Sequence, residues 1–156
     1  GKAFDPDYDI VEPGFKYNMT DIQAALGLAQ MKQIKEITER RTRIARHYLE
    51  ELSDLDGLDL PGIPPYEHGH AWHLFVVKIL AMDRKDFIKA LAEKNIGYGL
   101  HFPACHTLSY VTKRFGKTEL PVTEEIAKKI ISLPIYPGMD VAEVDRVIEV
   151  LREIIK

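Results

Sequence analysis

Apolar residues follow a near-helical period from Ile22 through Leu26, Ala29, Ile34, Ile37 and Ile44 to Tyr48, with breaks at Gln33 and Arg41. In front of them, Thr20 and Gln23 fit a capping box, the hydroxyl taking the Gln23 backbone N–H while the Gln23 side chain reaches back. The pattern predicts one long helix from Thr20 to about Leu52, with Gly57 ending the region. Such a helix would span roughly 45 Å at about 1.5 Å per residue, which calls for a kink or a packing partner outside a small domain. Small residues on several sides of residues 24–29 permit another helix to come close.

Residues 57–69 hold three prolines and three glycines and read as a connecting loop. Residues 72–80 (WHLFVVKIL) are almost wholly apolar and β-branched or aromatic, which predicts a strand buried on both faces. Asp83 caps a helix carrying Phe87, Ala90 and Leu91, and Gly97 sits where a left-handed glycine would close it. Residues 96–102 (IGYGLHF) predict a second strand. Thr123 or a neighbour starts a helix with Ile126, Ala127 and Ile130, and residues 132–135 predict a short third strand ended by Pro137. Asp140 with Glu143 opens the last helix, whose Val141, Val144, Val147, Ile148, Leu151 and Ile155 form an apolar stripe. Residues 1–19 lack a period and read as a loop or arm. The order is long helix, strand, helix, strand, helix, short strand, helix, which is an α+β pattern without an internal repeat.

Length and charge narrow the classes. At 156 residues one domain is the default. A formal net charge of −3 argues against nucleic acid or a membrane surface as partner. No apolar run approaches the ~20 residues of a membrane span. Cys105 is the only cysteine, so no internal disulfide can form and a reducing, cytoplasmic setting fits. The start GKAFDPDYD is acidic and polar, unlike a signal peptide, and leaves open a processed chain or a piece of a longer one. The basic run ERRTRIARH (residues 39–47) is flanked by glutamates and reads as a solvated helix face.

Candidate chemistry is sparse. His68, His70 and His73 (HGHAWH) suggest zinc, but on a strand 68 and 70 share a face while 73 points away, and no metal site is expected. Cys105 and His106 (HFPACHT) are sequence neighbours, which rarely converge as a nucleophile–base pair. The histidines of that block, His101 and His106, leave a strand end and precede Tyr110, a common setting for function. No glycine-rich phosphate loop or GxSxG elbow is present. That absence favours a domain contributing to a site built elsewhere. In GFKYNMTD (residues 14–21), Met19 fits a hydrophobic staple before the Thr20 cap. Lys16 and Asn18 remain unexplained by it, and an ammonium and an amide beside a helix start suit an anion such as phosphate.

EPGFKYNMTDIQAALGLAQ resembles the segment that opens the C-terminal part of DegT/DnrJ-type nucleotide-sugar aminotransferases, pyridoxal-phosphate (PLP) enzymes of the aspartate-aminotransferase (type I) fold. HAWHLFVVKI, IGYGLHFPACHTLSY, RFGKTELPVTEEIA and ISLPIYPGM are similar to the family's later blocks in the same order, from Glu12 to the end. KYN, HAWH and HFxxxHT most resemble the UDP-4-amino-4-deoxy-L-arabinose aminotransferase branch. The resemblance implies a small C-terminal domain over residues 20–156, a small antiparallel sheet flanked by helices, with residues 1–19 as an interface arm. It implies that the large domain, with the Schiff-base lysine and the aspartate facing the pyridine nitrogen, lies upstream of Gly1, so that no catalytic residue stands in this chain. It also implies a homodimer with each active site at the subunit interface, a nucleotide-sugar substrate and an amino-acid donor. By that pattern Asn18, with Lys16 sharing the role, contacts the cofactor phosphate of the neighbouring subunit. His106 lies near the sugar, followed by His101 and Tyr110. Two other readings stay open: a sugar dehydratase of the same family, in which histidine replaces the lysine, and a dimerisation module without chemistry.

Overall fold

The computed structural model describes residues 15–66 and 68–156; residues 1–14 of the expected arm over 1–19 lie outside the described residues, as does Glu67. The chain divides into two compact units, Gly1–Ile34 and Lys35–Lys156.

The first unit carries α1 (Asp21–Met31). The capping box at its start is formed: Gln23 N–H donates to the Thr20 hydroxyl at 3.3 Å and Thr20 N–H to the Gln23 side-chain oxygen at 2.9 Å. Met19 is 69% exposed, so a staple there buries little. The single long helix of the sequence reading is in fact two. After Met31 the bonding tightens, Gln33 N–H reaching the Gln30 carbonyl at 3.0 Å, and α2 (Ile34–Glu51) begins afresh. The break falls at Gln33, where the apolar period also lapses.

In the second unit α2 lies with a three-stranded antiparallel sheet, order β1 (Leu58–Asp59), β2 (Phe75–Ile79), β3 (Ile130–Leu133). Register is set by Leu58 opposite Ile79 and by Phe75, Val76 and Val77 opposite Leu133, Ser132 and Ile131. The loop expected at residues 57–69 therefore contains an edge strand. β2 is shorter than the apolar run that predicted it and alternates: Phe75, Val77 and Ile79 are buried, whereas Val76 and Lys78 are half-buried. A period-2 backbone turns one set of side chains to the core. β3 starts two residues before the expected strand, leaving Pro134, which has no N–H to give, outside the ladder.

The remaining helices are α3 (Arg84–Glu93), α4 (Ser109–Phe115), α5 (Pro121–Lys129) and α6 (Val141–Ile154), with a 3₁₀ turn at Cys105–Thr107. Asp83 caps α3 by accepting Lys85 N–H at 2.7 Å. Its other end corrects the sequence reading. The left-handed residue is Asn95 (φ 57°), not Gly97. Ile96 N–H bonds the Leu91 carbonyl at 2.9 Å and Asn95 N–H the Ala92 carbonyl at 3.0 Å, a Schellman closure. The second expected strand, residues 96–102, does not form as a ladder; only Gly99 pairs, with Ser132. Pro121 at the first helical position starts α5 two residues before Thr123. The α6 capping box at Asp140 and Glu143 is formed as predicted. Its buried face holds Val144, Val147, Ile148, Val150 and Leu151, while Val141 is exposed.

These elements meet in one core: Tyr48 and Leu52 of α2, Phe75, Val77, Ile79 and Ile131 of the sheet, Phe87 and Leu91 of α3, and Leu151 of α6. Each is essentially withdrawn from water, and fully burying such side chains stabilises by about 1.5–3 kcal/mol apiece. This core fixes β3, to which Gly99 and His101 are hydrogen-bonded.

Candidate functional site

Two stretches carry the residues singled out by sequence, one in each unit. In the first, Lys16 and Asn18 are exposed in the loop before α1. With Tyr17, Met19 and Gln23 they line an open depression of about 460 Å³. The Phe15 and Tyr17 rings stand 5.8 Å apart at 46°. Neither Lys16 nor Asn18 has a hydrogen-bond partner among the described residues. Thr20 and Gln23 already satisfy each other in the cap, so the ammonium and the amide are the donors left to turn outward. That donor set suits a phosphate, with one point charge and one neutral N–H₂.

The second stretch begins at Gly99, which pairs with Ser132 of β3. Gly99 and Ser132 exchange both backbone hydrogen bonds, at 3.0 and 2.8 Å. The His101 ring folds back over this pair, its Nδ1 hydrogen-bonded to the buried Ser132 hydroxyl at 2.8 Å. A Cβ on Gly99 would stand 2.2 Å from His101 Cε1, so the ring can lie there only because residue 99 is glycine. The 3₁₀ turn follows and presents His106. Its Nε2 lies 3.1 Å from Glu124 Oε1, and its carbonyl accepts the Thr112 hydroxyl at 3.2 Å. The same Glu124 oxygen accepts Leu120 N–H at 3.1 Å. These donors, His106 first, hold the Glu124 carboxyl below its ordinary value of 4.5. Cys105 is exposed, and His106 pairs with Glu124 instead of with it. Tyr110 is 74% exposed on α4, with no hydrogen-bond partner among the described residues. The structure thus anchors His101 to β3 and His106 to α5 and leaves Tyr110 outward.

Sequence reasoning missed Ser132 and Glu124. Glu124 stands 18 residues from His106, and Ser132 stands 31 residues from His101. A usable hint was Ser132 itself, a hydroxyl inside an otherwise apolar strand. The HGHAWH histidines are tied to their own loop: His68 Nδ1 donates to the Tyr66 carbonyl at 2.8 Å, and His70 Nδ1 accepts Trp72 N–H at 2.9 Å. Among the described residues no three metal-ligating side chains gather. No helix among them is long and apolar enough to cross a membrane.

Residues 2–152 match the model of the DegT/DnrJ/EryC1/StrS aminotransferase family. The chain belongs to that family. It is 43% identical, over 96% of its length, to a UDP-4-amino-4-deoxy-L-arabinose–oxoglutarate aminotransferase of Shewanella sediminis (strain HAW-EB3), and it spans 41% of that relative. It is similar to a solved DegT/DnrJ/EryC1/StrS aminotransferase from Brucella abortus: TM-score 0.82, 28% identity, 96% of this chain and 39% of that one. It is also similar to NtdA from Bacillus subtilis with bound cofactor PMP: TM-score 0.79, 26% identity, 96% of this chain and 35% of that one. The α+β unit with its small antiparallel sheet is thus the type I fold's part in a family of PLP-dependent sugar aminotransferases. The HFxxxHT block lies within the matched residues.

Proposed function

We propose that this chain is the C-terminal part of a PLP-dependent aminotransferase that moves an amino group from glutamate to a keto group of a nucleotide-linked sugar. The observation that carries the reading is the 43% identity, over nearly the whole chain, to an enzyme named for that type of reaction. The exchange is balanced: the donor amino acid leaves as its 2-oxo acid while the sugar carbonyl becomes an amine. PLP, when bound, supplies the electron sink for both halves. In this reading its lysine anchor belongs to the preceding part of the enzyme, and two subunits complete each site.

This chain's own residues bind and position. Asn18 donates its amide to the cofactor phosphate of the neighbouring subunit, and Lys16 adds a positive charge beside it. His106 faces the sugar and holds or exchanges a proton at its ring nitrogen. His101, held on β3, and Tyr110, exposed on α4, line the same approach. None of them forms a covalent bond to substrate.

The test is amino transfer by the full-length protein from glutamate to a UDP-linked 4-ketopentose, followed by appearance of 2-oxoglutarate. The chain of 156 residues alone is expected neither to retain PLP tightly nor to give a borohydride-reducible adduct. Full-length protein that releases water from the sugar without consuming glutamate would replace this reading with a dehydratase.

A further inference from the structure

We propose that Glu124 is a positioning residue for His106, holding the imidazole through Nε2–H so that Nδ1 is the atom turned toward substrate. The inference rests on the reading above only in taking His106 to face the sugar. The rest stands on the geometry of the pair.

A carboxylate can only accept, so the proton between His106 and Glu124 at 3.1 Å sits on Nε2. Nδ1 has no partner among the described residues. No buried side-chain nitrogen or oxygen among those residues lacks a partner either, so Nδ1 is not sealed in the protein. Yet the His106 side chain is only 12% exposed. The ring is thus largely enclosed while its unpartnered nitrogen keeps some contact with solvent.

Both members are held by more than each other. Glu124 is fixed by its second bond, from Leu120 N–H, at the Pro121 start of α5. The far end of α5 is tied down by Arg84, whose Nη1 donates to the Ala127 carbonyl at 2.5 Å. On the other side, the Thr112 hydroxyl fixes the His106 backbone. Ordinary surface pairs lack such support: Lys117 and Glu119 are 79% and 80% exposed. Carboxylate–histidine pairs of the supported kind select a tautomer and a ring plane.

The chemistry follows from the tautomer. The neutral ring accepts a proton at Nδ1 from a substrate hydroxyl or from water. Once protonated it returns that proton from the same atom, and Glu124 stays a carboxylate throughout. Glu124 touches no reacting atom.

The experiment compares Glu124→Ala and Glu124→Gln in the full-length enzyme, measuring the glutamate and sugar half-reactions separately. Glu124→Ala is expected to slow the sugar half-reaction on the order of tenfold and leave the glutamate half-reaction and cofactor content unchanged. Glu124→Gln, whose amide oxygen still accepts from Nε2–H, is expected to recover most of that rate. Proton NMR of the chain gives a second readout: a protected His106 Nε2–H resonance in wild type and Glu124→Gln, lost in Glu124→Ala. Equal slowing of both half-reactions, or of neither, would reduce Glu124 to a cap on α5 and overturn the proposal. If Glu124→Ala does not fold, the wild-type resonance decides, and its absence overturns the proposal. If wild-type enzyme transfers no amino group to a nucleotide sugar, the functional reading fails, while the resonance still decides the positioning claim.

Discussion

Arg41 of α2 donates from Nη1 to the carbonyl of Trp72 at 2.9 Å, joining helix to strand entry across 31 residues of sequence. The same nitrogen meets the carbonyls of His73 at 3.0 Å and Ile135 at 3.3 Å. One guanidinium thus serves both the approach to β2 and the exit from β3. Arg41 interrupts the apolar stripe of α2 because its position faces carbonyls that no strand neighbour satisfies. Replacing it by methionine keeps the stem and removes the donors. The expected loss is about 1.5–3 kcal/mol in urea unfolding, with lysine recovering only part because it lacks the planar fork.

Tyr48 is fully buried against Phe75, ring centroids 5.0 Å apart, and donates its hydroxyl to the Pro134 carbonyl at 3.0 Å. Tyr48→Phe should cost about 1 kcal/mol, read from the denaturant midpoint. Burial, and secondarily Tyr136, pushes the Tyr48 phenol far above its ordinary value of 10.0. Its folded form therefore keeps the proton longer than the unfolded form. The associated stability is present below pH 10.0 and lost as pH rises. An ultraviolet titration of the folded chain should show a tyrosine that ionises well above the ordinary value, and Tyr48→Phe should remove it.

Acid should act through carboxylates held by cations. Asp54 sits below its ordinary value chiefly through the hydrogen bond from Arg152, 2.7 Å away, and Glu153 and Glu125 are lowered by Lys94 and Lys129. Glu124 is lowered by His106. Because the folded values are depressed, these groups contribute stability above the unfolded value and lose it as pH falls through the folded one. Stability should be flat near neutrality and decline below about pH 4.5, the ordinary glutamate value. Thermal unfolding between pH 7 and 3 checks this. Arg152→Met should flatten part of the decline.

Gly99→Ala puts a methyl group 2.2 Å from His101 Cε1 and 2.8 Å from Nδ1. The ring must leave Ser132, whose hydroxyl is then buried without its partner. A loss of about 1–3 kcal/mol is expected, with displaced His101 side-chain resonances as the direct sign. Unmoved resonances would show that the backbone had yielded instead.

Asn18→Ala removes a donor and leaves the Thr20–Gln23 cap intact. Full-length protein should then retain PLP on the order of tenfold more weakly, while the circular dichroism of this chain stays the same. Lys16→Ala should do the same to a smaller degree. Unchanged retention would leave the cap as the whole purpose of the segment.

Local signals in the sequence settled much of the fold. The caps at Thr20, Asp83 and Asp140 are bonds spanning two or three residues, so residue type and spacing specify them. The stripe of α6 is likewise local, since one helical face repeats every three to four residues. The candidate histidines and the loop before α1 could also be named from sequence, through motif resemblance. Partners far apart in the chain could not. The closure of α3 at Asn95 rather than Gly97 depended on which residue could enter the left-handed region while Ile96 stayed in the core. Residues 96–102 resembled a strand, but only Gly99 found a ladder partner, across 33 residues of sequence at Ser132. Glu124 became His106's partner only when α5 brought it alongside the 3₁₀ turn. Propensity and periodicity act within a turn of helix or a pair of strand residues. The pairing of a histidine with one carboxylate among many is a property of packing, and only the tertiary structure decided it.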